Sequence, residues 1–293
     1  MKKELLYESV SNNLNELRHR SDIIREQRDI VLTELIDNIF ANARDESPDS
    51  LYREFLSALP SAELSDKLKF ADSLTSRLNA AQKDIPALLG DSDTSAEAGA
   101  HGKIAYVRNR YNDEAYSKLS AAVPHAKAVY CSDFEACCEA VASGKCEFTI
   151  LPLDDTSDGK MFGFYSLLDR YELKIACTCS IEREHPSKTI RYSLASKGFR
   201  PDLLNKSKKE SRRYFEFSLT NTPTPHITDI YRAAAEFSAP EHRTSSISLP
   251  YSDNLARFYH SFAITKDTKI LPFILFLSLE YPQYTPIGIY CEI

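Results

Sequence analysis

Residues 146–159 read CEFTILPLDDTSDG. Phe148 to Leu153 is an unbroken apolar run without helical spacing, which predicts a buried strand. The run ends in Asp154, Asp155, Thr156, Ser157, Asp158 and Gly159. Three carboxylates and two hydroxyls at the end of a core strand fit a solvated turn whose acidic groups favour the next helix N-terminus. They equally fit the floor of a site, because ligands of open α/β sheets lie beyond the carboxyl ends of strands. The residues alone leave both readings open.

Working outward, KIAYVR (103–108) predicts a strand, NDEAYSKLSAAV (112–123) a helix and AKAVYC (126–131) a strand. SDFEACCEAVASG (132–144) predicts a helix with a capping box from Ser132 to Glu135 and Gly144 at its end. Beyond the opening stretch, MFGFYSLLDRY (161–171) is helical, and LKIACTCSI (173–181) and TIRYSLAS (189–196) are strands. Alternation over short links predicts a parallel sheet covered on both faces.

Toward the N-terminus, Val10, Leu14, Leu17, Ile24, Val31 and Leu35 recur every three or four residues, the pattern of one long amphipathic helix. RDESPDS (44–50) interrupts it, and apolar spacing predicts two further helices, around Leu51–Leu59 and Leu64–Leu78. GDSDTSAEAGAHG (90–102) has the composition of a linker. Toward the C-terminus, NKSKKESRR (205–213) reads as a basic solvated linker. Strand 214–219, helix 226–237, strands 243–249 and 257–265, helix 268–281 and strand 286–293 follow. That βαββαβ order is ferredoxin-like.

With 293 residues, 43% of them hydrophobic, the chain can fill two or three packed units. Its 42 acidic and 36 basic residues leave a net charge of −6, which argues against a nucleic-acid partner. The charged start, Met1-Lys2-Lys3-Glu4, has no apolar stretch behind it and so no signal-peptide pattern. ILPFILFLSL (270–279) contains Pro272 and is too short to span a bilayer, so no membrane partner is expected. Seven cysteines, six of them between Cys131 and Cys179, suit reduced thiols in the cytoplasm. Cys137-Cys138 and Cys177-x-Cys179 lack zinc spacing, so no metal is expected. Only eight glycines occur, without G-x-G-x-x-G or G-x-x-x-x-G-K, and no cofactor is expected.

CSDFEACCEAVASGKCEFTILPLDDTSDG (131–159), with FYSLLDRYELKIACTCSI (164–181) after it, resembles prephenate dehydratase. That enzyme decarboxylates and dehydrates prephenate to phenylpyruvate. Asp133, Phe134, Ala140, Val141 and Gly144 match the family's D-F-x-x-x-x-x-A-V-x-x-G helix, and Pro152 and Gly159 match its strand end. The βαββαβ tail resembles the family's regulatory ACT domain, with Ile287-Gly288-Ile289-Tyr290 similar to L-G-S-Y. Bifunctional members carry chorismate mutase in front. Leu17-Arg18 and Arg53-Glu54 are similar to its L-R and R-E, but Leu35 and Ile36 stand where a further arginine is needed. The resemblance covers Lys103 to Ile293.

The chain also departs from that pattern. The G-P-x-G-T-x-S loop is reduced to Val107-Arg108-Asn109-Arg110-Tyr111-Asn112, E-N-S becomes Asp154-Asp155-Thr156, and T-R-F becomes Ile190-Arg191-Tyr192. The family's second lobe precedes the T-R-F strand; here Ser187 and Lys188 do. The phenylalanine-binding G-A-L and E-S-R-P correspond to Pro225-His226-Ile227 and Ile247-Ser248-Leu249-Pro250.

The resemblance therefore implies an α/β and α+β multidomain fold. Residues 1–89 form a helical segment in the mutase position. Residues 103–200 form a single α/β lobe, half of a periplasmic-binding-protein-like dehydratase domain, and 212–293 a ferredoxin-like ACT-type domain. It implies a non-catalytic protein of phenylalanine biosynthesis, a ligand-binding or subunit-interaction module; the alternative is residual mutase or dehydratase activity. The ligand-binding candidates are Arg108, Asp154, Asp155, Thr156 and Arg191, and Thr156 and Thr189 are the catalytic candidates in an active chain. Half a cleft would be open to solvent. Asp154 and Asp155, expected beside the end of strand 103–108, would favour a neutral or cationic small-molecule ligand. Self-association through the ACT-like domain is expected, because helix 268–281 is apolar on nearly every side.

Overall fold

The chain divides into two units, Met1–Leu74 and Thr75–Ile293. The computed structural model describes residues 2–42, 46–80, 101–156, 159–183, 188–206, 212–220, 224–248 and 256–293. Ser157, Asp158, Leu249 and Pro250 thus lie outside the described residues.

The first unit is built from α1 (Lys2–Asn42), α2 (Pro48–Ala58) and the part of α3 (Leu64–Ala80) up to Leu74. Ser47 caps α2 by accepting from Ser50 N, with Pro48 at the first helical position. Leu32, Ile36, Ile39 and Phe40 are buried, and Phe70 stacks on Phe55 and tilts against Phe40. The expected apolar face of α1 packs only from Leu32 onward. Val10, Leu14, Leu17, Ile24 and Val31 are 49–65% exposed, because two short helices reach only the end of a 41-residue one.

The second unit contains β1 (Lys103–Val107), α4 (Arg110–Leu119), β2 (Lys127–Cys131), α5 (Phe134–Ala142), β3 (Phe148–Asp155) and β4 (Gly159–Lys160). Next come α6 (Phe162–Arg170), β5 (Lys174–Glu182), β6 (Thr189–Ser196) and α7 (Pro201–Lys206). The βαββαβ segment supplies β7 (Arg213–Thr220), α8 (Thr224–Glu236), β8 (Glu241–Ser248), β9 (Ala256–Ile264), α9 (Ile270–Glu280) and β10 (Thr285–Glu292). The fold is mixed α/β with a helical N-terminal part, as the sequence pattern predicts.

All ten described strands share one sheet, ordered β2-β1-β3-β6-β5-β10-β7-β9-β8, with β4 paired to β3. It is mixed rather than parallel. β6 runs antiparallel to both β3 and β5, since the few residues between β5 and β6 can close a hairpin but not a crossover. α5 opens with Asp133, whose side chain accepts from Ala136 N; Ser132 donates to Asp133 instead of capping the helix itself. Asn205 and Lys206 end α7 and Arg213 begins β7, so only part of the basic stretch connects elements.

β3 is buried along its whole length, flanked by one core containing Ile104, Leu119 and Leu194 and another containing Cys137, Leu168 and Tyr214. The junction with the βαββαβ segment is backbone to backbone: β10 lies parallel to β5 and antiparallel to β7. Gly288 makes this possible, because a Cβ there would sit 2.6 Å from Ile175 O and 2.8 Å from Ile175 Cβ. Pro272 to Leu277 of α9 are all buried, with Phe273 packed against Phe215, Phe217 and Phe262. Among the described residues, α9 is thus covered by its own unit rather than apolar and exposed on nearly every side.

His260 on β9 is fully buried, stacked on Phe217, with Nδ1 3.3 Å from Thr244 Oγ1 and no partner for Nε2 among the described residues. Burial pushes its pKa down to about 4, with Glu241 opposing weakly. The folded chain thus resists protonation that the unfolded chain accepts near pH 6.5. Its stabilising share is whole above that value and is lost as pH falls toward 4. Stability should drop by roughly 2 kcal/mol between pH 7.5 and 4.5 from this group alone. Urea titrations across that range check this; His260→Leu should flatten the slope, and an unchanged slope would remove His260 as its source.

Candidate functional site

Asp154 and Asp155 lie in a strand, not in a turn. Asp154 and Asp155 are inside the ladder, pairing with β4 through Lys160 and Gly159 and with β6 through Arg191 and Ile190. The register Ala105↔Thr149 leaves them beyond the end of β1 rather than beside it. Both are 3% exposed, so the expected half-open site is instead closed over, by hairpin β3–β4 and by strands of the βαββαβ segment.

Their burial is possible because each carboxylate has a counter-ion. Asp154 Oδ2 accepts from Arg191 Nε at 2.5 Å and from Arg243 Nη1 at 3.1 Å, and Asp154 Oδ1 lies 3.8 Å from Lys160 Nζ. Asp155 pairs with Arg183 at 3.3 Å. These cations neutralise the strand end. The expectation of a neutral or cationic ligand loses its premise.

Asp154 belongs to a larger buried cluster. Lys160 Nζ donates to Glu216 Oε1 on β7 and, at 2.5 Å, to Tyr165 Oη on α6, with its charge 4.2 Å from the Tyr165 ring centre. Arg191 donates to Tyr290 Oη at 2.7 Å and Tyr165 Oη at 3.0 Å, and Tyr290 donates to Glu216 Oε2 at 2.7 Å. Burial alone would raise the Glu216 carboxyl, but Lys160 and Arg191 hold it well below the usual carboxylate range. Burial also works against the Arg191 charge, and Tyr290, Tyr165, Glu216 and Asp154 more than offset it. For Lys160 burial prevails and lowers the ammonium pKa despite Glu216 and Asp154. Burial raises Tyr165 and Tyr290, so both phenols stay protonated and act as hydrogen-bond relays.

The cluster forms one wall of a cleft of about 230 Å³ at the carboxyl ends of β3, β5 and β10. Asp154, Asp155, Thr156, Thr189 and Arg191 all line it, so five of the six candidate residues come together. Arg108 does not: it is exposed, over the Tyr130 ring at 5.3 Å. Thr156 Oγ1 accepts from Thr189 N at 2.9 Å, so this hydroxyl bridges the hairpin to β6. Thr178 Oγ1 and Ser261 Oγ also line the cleft, buried and without partners among the described residues.

Strand alternation sends Ile190 and Tyr192 to the other side of β6. They line a second cleft of about 430 Å³ together with Asn109, Arg110, Pro152, Phe164 and Arg183. Asn109 caps α4 by accepting from Asn112 N at 2.9 Å, and Asn112 Nδ2 donates to Val107 O at 2.6 Å. The loop after β1 is therefore held by its own side chains, where a phosphate-type cradle would leave backbone amides free. Among the described residues no three His, Cys, Asp or Glu side chains are placed to hold a metal. No described helix is long and apolar enough to cross a membrane.

Lys160, Tyr165, Glu216, Arg243 and Tyr290 were not legible as site residues in the sequence. One signal was present: Glu216 interrupts Tyr214-Phe215 and Phe217 in a core strand, and a carboxylate there requires a buried cation.

No family model matches the chain, and no curated protein sequence matches it. Solved structures do. Prephenate dehydratase from Streptococcus mutans superposes with a TM-score of 0.52 at 15% identity, over 65% of this chain and 98% of that one. A structure described as GqqA, a novel type of quorum quenching acylase, gives 0.48 at 22% identity, over 64% and 94%. Prephenate dehydratase from Arthrobacter aurescens in complex with L-Phe gives 0.47 at 10% identity, over 64% and 89%. The fold is prephenate dehydratase-like.

Proposed function

We propose that this chain is a non-catalytic, ligand-binding relative of prephenate dehydratase, connected to phenylalanine biosynthesis. The observation that carries the reading is the closed cluster Lys160–Glu216–Asp154–Arg191–Tyr165–Tyr290. Within it the charges of Lys160, Arg191, Asp154 and Glu216 satisfy one another, so its two buried cations are already engaged by carboxylates. Ile190, 3% exposed, stands where the resembling T-R-F motif has threonine, and Thr156 holds the hairpin. What the 230 Å³ cleft offers is a polar wall with two hydroxyls, Thr178 and Ser261, that have no partner among the described residues, suited to holding a small polar molecule. The strand order of the tail, fourth-first-third-second within its own βαββαβ, supports an ACT-like reading of 212–293. Residues 1–89 keep the mutase position without its full set of cations.

Purified chain supplied with prephenate should show only the uncatalysed rate of phenylpyruvate formation, and with chorismate only the uncatalysed rearrangement. Turnover that disappears in Thr156→Ala or Thr189→Ala would establish the alternative, a surviving dehydratase. Mutase turnover lost in Arg18→Ala would establish the other.

A further inference from the structure

α1 is 41 residues long, and its own unit covers only the end from Leu32 onward. We propose that the rest of it docks an acidic amphipathic helix of a partner protein. Val10, Leu14, Leu17, Ile24 and Val31, each 49–65% exposed, run along that part. They keep one heptad register, with Leu14 at position a and Val10, Leu17, Ile24 and Val31 at position d. The row spans roughly 32 Å, by the rise per residue of a helix. Single exposed apolar side chains are ordinary, whereas a row aligned over three turns or more has the geometry of a helix contact.

Ser21 and Arg28 fill the two remaining a positions of this stretch. Arg28 is committed to its own unit, pairing with Glu63 at 3.2 Å and with the buried Asp66 at 2.7 Å where α3 begins. The seam open to a partner therefore runs mainly from Val10 to Ile24.

The border of the seam identifies the partner. Between Val10 and Val31 the e positions hold Ser11, Arg18 and Arg25, and the g positions hold Asn13, Arg20 and Gln27. Three cations and no carboxylate thus flank the apolar row. The acids of this stretch, Glu16, Asp22 and Glu26, stand at positions c, b and f, further from the seam. Arg18 and Arg25 are exposed and form no ion pair with a described residue, and Arg20 pairs only with the exposed Glu16. A helix laid on the seam sets its own e and g residues against these arginines, so carboxylates there complement the border.

A second copy of α1 does not supply them. A parallel pair sets g against the e of the next heptad, which puts Arg20 of each helix against Arg25 of the other. An antiparallel pair sets e against e, so Arg18 and Arg25 face the same residues of the other helix. Like charges oppose both arrangements.

Fluorescence anisotropy tests this with a labelled synthetic helix of about four heptads, leucine at a and d and glutamate at e and g, titrated with the full chain. The control is the same peptide with lysine at e and g. The glutamate peptide should bind at least about tenfold more tightly than the lysine peptide, and its binding should weaken as salt is raised. Leu17→Ser with Ile24→Ser should weaken it about tenfold or more, with an unchanged circular dichroism spectrum because both side chains face solvent. Arg18→Glu with Arg25→Glu should turn the preference toward the lysine peptide. Equal binding of the two peptides would overturn the proposal, as would no binding at high-micromolar chain. So would a dimer in sedimentation equilibrium that Leu17→Ser with Ile24→Ser turns into monomer, because the occupant would then be a second copy.

Discussion

Glu216→Ala is expected to destabilise the second unit by about 3–5 kcal/mol, the cost of leaving buried cations without their counter-charge. Glu216 is 1% exposed and holds Lys160, Tyr165 and Tyr290 at once. Removing it strands the Lys160 ammonium and deprives Arg191 of a neighbour 3.5 Å away. The double variant Lys160→Met with Glu216→Leu should recover much of the loss, because apolar groups of similar volume need no partner. Urea unfolding of the three proteins decides the matter. A loss under about 1 kcal/mol for Glu216→Ala would mean that water reaches the cluster and solvates it.

Gly288→Ala should cost about 2–3 kcal/mol or more, from overpacking where no side chain can rotate away. The atoms in the path of its Cβ are Ile175 O and Ile175 Cβ, both fixed by the strand pair that joins β5 to β10. Gly163 in α6 offers the contrast, since nothing lies within 4 Å of a Cβ there. Gly163→Ala should be neutral or mildly stabilising, by helix propensity. Thermal unfolding of both variants checks the pair; equal shifts would mean that the junction flexes and Gly288 is not a constraint.

Much of the fold was legible because periodicity reports local burial. The strands at 103–108, 126–131, 173–181 and 189–196 and all six elements of the tail fall within a few residues of their predicted spans. Strand partners were not legible, because pairing is set by non-local register. No pattern in TPIGIYCE announces that β10 would lie between β5 and β7. The site shows the same limit. Asp154, Asp155, Thr156 and Arg191 are marked by a polar break at a strand end, whereas Lys160 and Glu216 meet only through a contact 56 residues apart in sequence. The inferred charge of the cleft failed for that reason: its acids were visible in one stretch, and their counter-ions came from others.

The place of β10 has a consequence for the chain as it is synthesised. Of the ten described strands it is the last to be made, yet it lies in the interior of the sheet, 113 or 114 residues downstream of the β5 positions it pairs with. While the ribosome is still translating α9, the first six strands can already have paired, and the β5 edge of that half-sheet stands bare. An unpaired edge carrying Ile175, Cys177 and Cys179 is a template for any extended segment, including the same segment of a neighbouring nascent chain. The interval between translation of β5 and emergence of β10 is therefore the period in which this protein is most open to misassembly.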